Sequence, residues 1–244
     1  MIMSDVLVII PTYNEIENIE NMIDTVMGLP DGFDLLVIDD GSPDGTADAV
    51  RRKMEVYPER VHLETRKGKL GLGTAYIHGF RWALKRDYQY VIEMDADFSH
   101  NPADLTHLYH TCKDKGADVC IGSRYISGVN VVNWPMGRVL MSYFASAYVR
   151  TVTRMELRDS TAGFVCYRRK VLETINLDKI EFKGYAFQIE MKFKAHRLGF
   201  KIVEYPIIFV NRQLGTSKMN SGIFGEAVFG VVKLRMRSMV GKLQ

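Results

Sequence analysis

The stretch Tyr90-Val91-Ile92-Glu93-Met94-Asp95-Ala96-Asp97 runs from an apolar segment straight into two carboxylates separated by one residue. An apolar run of this length, closed by acidic residues and followed by Ser99-His100-Asn101-Pro102, predicts a buried strand over 90–94 and a helix over 102–115. The same unit recurs on either side. Apolar, β-branched runs at 5–10, 33–39, 61–65 and 118–122 alternate with helical patterns at 15–28, 46–57 and 73–86. This alternation predicts an α/β fold with a mainly parallel central sheet flanked by helices, and it places ligands beyond the carboxyl ends of the strands. After residue 123 the pattern loosens into a loop, an apolar helix over 138–153 and a less regular stretch to Pro206. Residues 222–244 interleave apolar side chains with Lys233, Arg235, Arg237 and Lys242 and read as an amphipathic basic helix, which sets 1–221 apart as the main domain.

Composition bounds the function. With 244 residues, 47% hydrophobic and 25% charged, the chain is an ordinary globular one, which disfavours disorder, collagen-like repeats and a polytopic membrane protein. A net charge of +3 does not call for nucleic acid, but suits phosphates or an anionic membrane surface. Cys112, Cys120 and Cys166 are odd in number and show no CxxC spacing, so neither a disulfide framework nor a zinc site is expected and a reducing cytosol fits best. The first residues lack the basic region of a secretory signal, and no segment supplies the roughly 20 apolar residues of a membrane span. Membrane contact is therefore expected to be peripheral or through a partner.

Two carboxylates at a strand end suit a hard divalent cation, Mg²⁺ or Mn²⁺, whose remaining ligands come from substrate phosphate and water. An isolated DxD also serves as a solvated turn or cap; the strand-end position of Asp95 and Asp97 favours the metal. A second acidic turn, Asp39-Asp40-Gly41-Ser42-Pro43-Asp44-Gly45-Thr46, follows another strand. Asp44 or Thr46 reads as a cap for the next helix, whereas Asp39 or Asp40 is expected near Asp95 and Asp97, a concentration of charge that calls for cations or ligand hydroxyls. The ribose and base of a nucleoside are natural partners. In Pro11-Thr12-Tyr13-Asn14-Glu15, Pro11 is expected to stop the ladder, Tyr13 to stack on a planar ring and Glu15 to accept from base or ribose; helix capping by Thr12 or Asn14 accounts for the same segment.

Gly68-Lys69-Leu70-Gly71-Leu72-Gly73-Thr74-Ala75 looks like a phosphate loop but matches neither nucleotide signature, since Tyr76 stands where the dinucleotide fingerprint needs a small residue and no GK[ST] is present. A free loop and a helix start explain it, with Lys69 or the helix N-terminus open to an anion. Arg124, Arg138, Arg212 and Lys218 supply cations for a dianion, although each alone reads as solvated surface. His107 and His110 share a helix face without a third ligand and read as surface residues. No GxSxG elbow or catalytic cysteine signature is present, so hydrolysis through a covalent intermediate is not indicated.

In this order, PTYNE at 11–15, DDGSPDGT at 39–46, GLGTAY at 71–76, MDAD at 94–97, GSRY at 122–125 and the segment from Arg212 to Lys218 resemble the family-2 inverting glycosyltransferases, and within them the polyprenol-phosphate (dolichol-phosphate) mannose synthases. The resemblance implies a GT-A fold and transfer of mannose from GDP-mannose to a polyprenyl or dolichyl phosphate. It implies that Pro11, Tyr13, Glu15, Ile38 and Asp40 bind the guanosine portion, and that Asp95, Ala96 and Asp97 bind the donor and its metal. Asp97 is the first metal ligand on that comparison, with Ser99 a supplementary one at a position that varies in the family. Arg212 and Lys218 match loop residues that neutralise the departing diphosphate, while Arg124 and Arg138 match candidates for the acceptor phosphate. Asp97, Arg124, Arg212 and Lys218 are thus the expected catalytic residues.

A phosphate acceptor is already anionic near neutral pH, so the expected mechanism is a single in-line displacement without a strong general base, giving a β-linked product from an α-linked donor. The expected location is the cytoplasmic face of a membrane, reached through the basic C-terminal segment or through a small membrane-anchoring subunit; the same segment reads equally as a core-packed helix. No nucleic acid is expected. Three alternatives stay open: UDP-glucose or another nucleotide sugar as donor, a non-catalytic nucleotide-sugar-binding module, and, more remotely, a nicotinamide oxidoreductase, which the missing dinucleotide fingerprint disfavours.

Overall fold

The computed structural model describes residues 4–184, 186–212, 214 and 223–239, with backbone alone for 223–228. Strands β1 (Val6–Thr12), β2 (Asp34–Asp39), β3 (Val61–Thr65), β4 (Tyr90–Glu93) and β5 (Val119–Ser123) alternate with helices α1 (Ile16–Met27), α2 (Thr46–Val56), α3 (Leu72–Leu84) and α4 (Asp104–Lys113). Every residue of β2 and all but one of β1 are buried, because helices cover both faces of the sheet. The helices dock through apolar stripes at helical spacing, as with Ile19, Met22, Ile23 and Val26 on α1. One core layer packs α1, α2 and α4 against the sheet; the other packs α3 and later helices on the opposite face.

The less regular stretch of the sequence completes the sheet. It contributes β6 (Val131–Val132), α5 (Met136–Thr153), β7 (Val165–Arg168), α6 (Arg169–Thr174), a 3₁₀ turn (Leu177–Lys179), α7 (Ala186–Arg197), β8 (Ile202–Pro206), β9 (Phe209–Val210) and α8 (Ile223–Met239). The sheet runs β3-β2-β1-β4-β7-β5-β8, with β7 antiparallel between β4 and β5, and β6 and β9 pair separately. Helix α7 shows no apolar stripe because it is buried nearly all round, and Gln188, Glu190 and Lys192 lie inside with it. Their polar groups are satisfied there: Lys192 Nζ donates to the Ala162 carbonyl at 2.6 Å, and Glu190 accepts from the backbone N–H of Glu181 and Phe182 at 3.0 and 3.1 Å.

Pro11 does not stop the ladder. β1 runs on to Thr12 with Pro11 in register with Ile38, while pairing with β4 ends at Ile9, so the missing N–H lies beyond the shorter neighbour. Cys112, Cys120 and Cys166 are buried free thiols in the layer under α4. Helix α8 packs on α5 and α7 through Val231 and Leu234, and Lys233 and Arg237 pair with Glu181.

Candidate active site

The ends of β1 and β2 are tied together first. Asp39 accepts from Thr12 Oγ1 at 2.9 Å and from the backbone N–H of Ser42 at 2.9 Å, which spends its charge on the turn. Asp44 accepts from the N–H of Thr46 at 3.0 Å, and also from the N–H of Ile16 at 3.1 Å, the first residue of α1. Helix α1 therefore receives its cap from a loop 28 positions away rather than from Thr12 or Asn14. Asp40 is gripped by Arg66, whose Nε and Nη2 reach its two oxygens at 2.6 and 2.8 Å, and Arg66 Nη1 donates to Thr74 Oγ1 at 2.9 Å. Lys69 Nζ lies 5.6 Å from the centre of the half-buried Tyr13 ring, bringing the Gly-rich loop to the end of β1. Gly73 lets the start of α3 pack closely on the segment before α7: a Cβ there would sit 2.8 Å from Phe187 and 2.9 Å from the Phe182 carbonyl.

Asp95 and Asp97 leave β4 with Ala96 buried between them. Phe98 follows with φ of 58°, a conformation that bulky residues avoid and functional turns retain. Arg212, just beyond β9, donates from Nε to Asp97 Oδ2 at 2.9 Å and from Nη2 to Glu15 Oε1 at 3.3 Å. Glu15 also accepts from Asn18 at 3.1 Å. Burial opposes the charge on Asp97, yet Arg212 and the donors of Ser99 outweigh it and hold the carboxyl below its usual range. Burial and then the charge of Asp97 push Asp95 up to about 7. Glu15 adds to that push, and the acidic side chain facing the DxD is thus Glu15; Asp40 is engaged by Arg66.

The donor set fits a hard cation that shares its ligands with substrate. Among the described residues no three His, Cys, Asp or Glu side chains gather around one point, so a cation held by Asp95 and Asp97 would need oxygens from a diphosphate, the coordination Mg²⁺ favours. Asp95, raised by burial and then by a neighbouring carboxylate, is the kind of group that an added cation returns to the ionised state. Ser99 is buried beside them, its N–H donating to Asp97 Oδ1 at 3.0 Å.

Arg124 follows directly on β5. It is 9% exposed and committed to Asp159, which accepts from its Nε and Nη2 at 2.7 and 2.6 Å and from its backbone N–H at 3.0 Å; Nη2 also reaches Thr161 Oγ1 at 2.9 Å. Burial works against both charges, but each holds the other ionised, Asp159 below and Arg124 above its usual range. His100, fully buried and stacked on Phe164 at 4.8 Å, is pressed down to about 4 by burial. Arg138, on the first turn of α5, stacks on Trp134 at 3.9 Å and donates to Asn211 Oδ1 at 3.0 Å, next to Arg212. The site thus gathers Glu15, Asp95, Asp97, Ser99, Arg124 and Arg212, with Arg138 at its edge; Pro11, Ile38, Tyr13 and Asp40 belong to the β1–β2 end. Lys218 lies outside the described residues. Sequence reading missed Arg66, Asp159 and His100. Arg66 was findable as the basic residue directly after β3, whereas Asp159 sits in a stretch without periodicity.

The chain belongs to glycosyl transferase family 2, whose family model matches residues 7–175. Within that family it groups with the polyprenol-phosphate mannose synthases. It is 44% identical over 236 residues to polyprenol monophosphomannose synthase of Mycolicibacterium smegmatis, covering 97% of this chain and 89% of the relative. It is 48% identical over 228 residues to undecaprenyl-phosphate mannosyltransferase of Micrococcus luteus, covering 93% of each. The fold is GT-A: the crystal structure of glucosyl-3-phosphoglycerate synthase from Mycobacterium tuberculosis with phosphoglyceric acid matches with a TM-score of 0.68 at 18% identity, over 94% of this chain and 79% of that one. The same enzyme with Mn²⁺, UDP and glucosyl-3-phosphoglycerate gives 0.65 at 17% identity, over 98% and 79%.

Proposed function

We propose that this protein transfers mannose from GDP-mannose to a polyprenyl (dolichyl-type) monophosphate with inversion, releasing GDP. The observation that carries the reading is the meeting of Asp95, Asp97, Glu15 and Arg212 at the strand ends, beside Arg124 and Arg138, in a chain whose relatives are named for mannosyl transfer to polyprenyl phosphate. Pro11, Tyr13, Glu15, Ile38 and Asp40 are assigned to the guanosine portion, and Asp95, Ala96 and Asp97 to the diphosphate end. A bound Mg²⁺ or Mn²⁺ on Asp97, Asp95 and Ser99 would supply charge to the departing diphosphate.

The chain's own residues divide the remaining work. Arg212, held by Asp97 and Glu15 before donor arrives, supplies a fork of N–H donors for the leaving group, and Lys218 a point charge. Arg124 presents a positive charge fixed by Asp159, and Arg138 a second one, toward the attacking phosphate. That phosphate is already anionic near pH 7, so the task is positioning two anions in line rather than removing a proton. The protein is assigned to the cytoplasmic face of a membrane, attached peripherally or through a small anchoring subunit.

The test is label transfer into an organic phase from GDP-mannose or UDP-glucose, with short-chain polyprenyl phosphate, Mg²⁺ or Mn²⁺ and an EDTA control. Metal-dependent transfer from GDP-mannose is the expected result. Transfer from UDP-glucose alone, or a product with retained anomeric configuration, would overturn the assignment of donor or of stereochemistry.

A further inference from the structure

Lys192 is a cation closed off from water. It is fully buried, and its three N–H donors go to carbonyl oxygens: that of Ala162 at 2.6 Å, and the backbone and side-chain oxygens of Gln188, both at 3.2 Å. Burial lowers its pKa to about 8 against the opposing charges of Glu93 and Asp159. An ammonium group is costly to bury, so the partners it holds are where its use is to be sought. Gln188 lies one turn back on α7 itself. The bond that leaves the helix is the one to Ala162, in the segment between α5 and β7.

A second element holds the same segment. Glu204, on β8 beside Ile121 of β5, accepts from the N–H of Arg158 at 2.7 Å on one oxygen and from the N–H of Asp159 at 2.8 Å on the other. The turn over 158–162 is thus fixed to the sheet through Glu204 and to α7 through Lys192. Between these two anchors stand Asp159 and Thr161, the residues that grip Arg124.

The grip decides where Arg124 can point. Its guanidinium has five N–H donors in one rigid plane. Nε–H and one Nη2 hydrogen go to Asp159 and the other Nη2 hydrogen to Thr161, while Nη1 makes no hydrogen bond to a described residue. With three donors of a planar group fixed, the direction of the remaining two is fixed as well. The rings of Tyr125, Trp134 and Phe209 stand 5.3 to 5.7 Å from the guanidinium carbon, and its charge lowers the pKa of Asp95, so the uncommitted nitrogen lies within the field of the site. A shift of the turn is therefore passed on as a shift of Nη1.

We infer that Lys192 and Glu204 are positioning residues, which act through the 158–162 turn and Asp159 to aim Nη1 of Arg124 at the attacking phosphate. The inference rests on the assignment of Arg124 to the acceptor phosphate. The ion pair with Asp159 keeps Arg124 charged, but a pair carried on a loose turn would leave its direction unset; the two anchors supply that direction. Neither anchor touches substrate, and their loss is expected to act on the acceptor and not on the nucleotide sugar, since an in-line displacement depends on where the attacking oxygen is held.

The experiment measures Tm, KM for GDP-mannose and kcat/KM for a short-chain polyprenyl phosphate in the full chain and in its Glu204→Gln, Lys192→Met and Lys194→Met variants. Lys194 is the control, a second buried lysine of α7 whose Nζ donates to the Lys179 carbonyl at 2.8 Å, in the 3₁₀ turn rather than in 158–162. The expected result is kcat/KM for the acceptor lowered about tenfold or more in Glu204→Gln and Lys192→Met, with KM for GDP-mannose unchanged, and a lowered Tm with wild-type kinetics in Lys194→Met. Glu204 is half-buried, so its variant decides the matter if Lys192→Met does not fold. Wild-type acceptor kinetics in Glu204→Gln would overturn the inference, as would equal losses for donor and acceptor, or the same loss in Lys194→Met. Titration of the short-chain polyprenyl phosphate in the presence of GDP needs no turnover and separates the two readings. Absence of transfer by the wild type would overturn the proposed reaction, while weaker acceptor binding by Glu204→Gln than by the wild type would still uphold the positioning role and equal binding would overturn it.

Discussion

Arg212 places Nε and Nη2 on one oxygen of Asp97, at 2.9 and 2.8 Å, and thereby joins the segment after β9 to the end of β4 across 115 positions of sequence. The pair is largely shielded from solvent, and Glu15 shares the same guanidinium. An arginine that already bridges two carboxylates is placed to exchange one of them for a diphosphate oxygen. Arg212→Ala is therefore expected to lower kcat/KM by about two to three orders of magnitude, the scale of losing an aimed charge donor. Arg212→Lys should recover only part, because a point charge cannot reproduce the fork. Initial rates with varied GDP-mannose decide it; wild-type kcat/KM in the alanine variant would remove Arg212 from the reaction.

Asp97 and Asp95 differ in their fields and should differ in their variants. Arg212 holds Asp97 below its usual range despite burial, whereas burial and then the charge of Asp97 push Asp95 up to about 7. Asp97→Asn is expected to abolish metal-dependent transfer, by about a hundredfold or more. EDTA should stop the wild-type reaction and Mg²⁺ or Mn²⁺ restore it. Activity that survives exhaustive chelation would take the metal out of the scheme.

Arg124 and Arg138 separate a stabilising role from a binding one. Removing Arg124 leaves Asp159, wholly buried, without its partner, a loss of about 3–5 kcal/mol for a buried pair. Arg124→Ala should therefore lower Tm together with activity. Arg138 stacks on Trp134 nearer the surface, so Arg138→Ala should hold its stability within about 1 kcal/mol while raising KM for the lipid acceptor. Thermal melts alongside acceptor titrations test both; an Arg138 variant that melts early with an unchanged KM would assign it to structure.

His110 gives a pH signature away from the site. Hydrogen bonds to Asp114 and then Asp31, at 2.6 and 2.8 Å, raise its pKa above 6.5. A histidine whose folded pKa exceeds its unfolded value adds stability that is complete below the unfolded value and lost as pH rises through the folded one. His110→Gln should thus lower Tm at about pH 5.5 and leave it unchanged at about pH 8.5. A Tm difference that grows with pH would contradict the assignment.

Much of this protein was legible as sequence because its chemistry is local. Each strand–helix unit through residue 123 carries its own apolar period and ends in its own polar turn, so β1 to β5, α1 to α4 and the carboxylates of Asp40, Asp95 and Asp97 followed from short-range pattern. What periodicity does not encode is which ends meet. The cap of α1 by Asp44, the grip of Arg66 on Asp40, the burial of Arg124 against Asp159 and the bridge from Arg212 to Asp97 each join residues 26 or more positions apart. The position of β7 was equally hidden, since a four-residue antiparallel strand is set by the neighbours it fits between, and so was α7, whose polar residues are buried where only tertiary partners can satisfy them. The sequence shows α5 as an apolar helix, and only the fold shows that Ser146, Val149 and Thr153 turn inward while Met136, Leu140, Met141 and Phe144 stay exposed. Sequence by itself determined the elements and the kinds of charge at their ends; the tertiary structure decided which charges neutralise one another and which apolar faces stay open, because those depend on distances that only long-range packing sets.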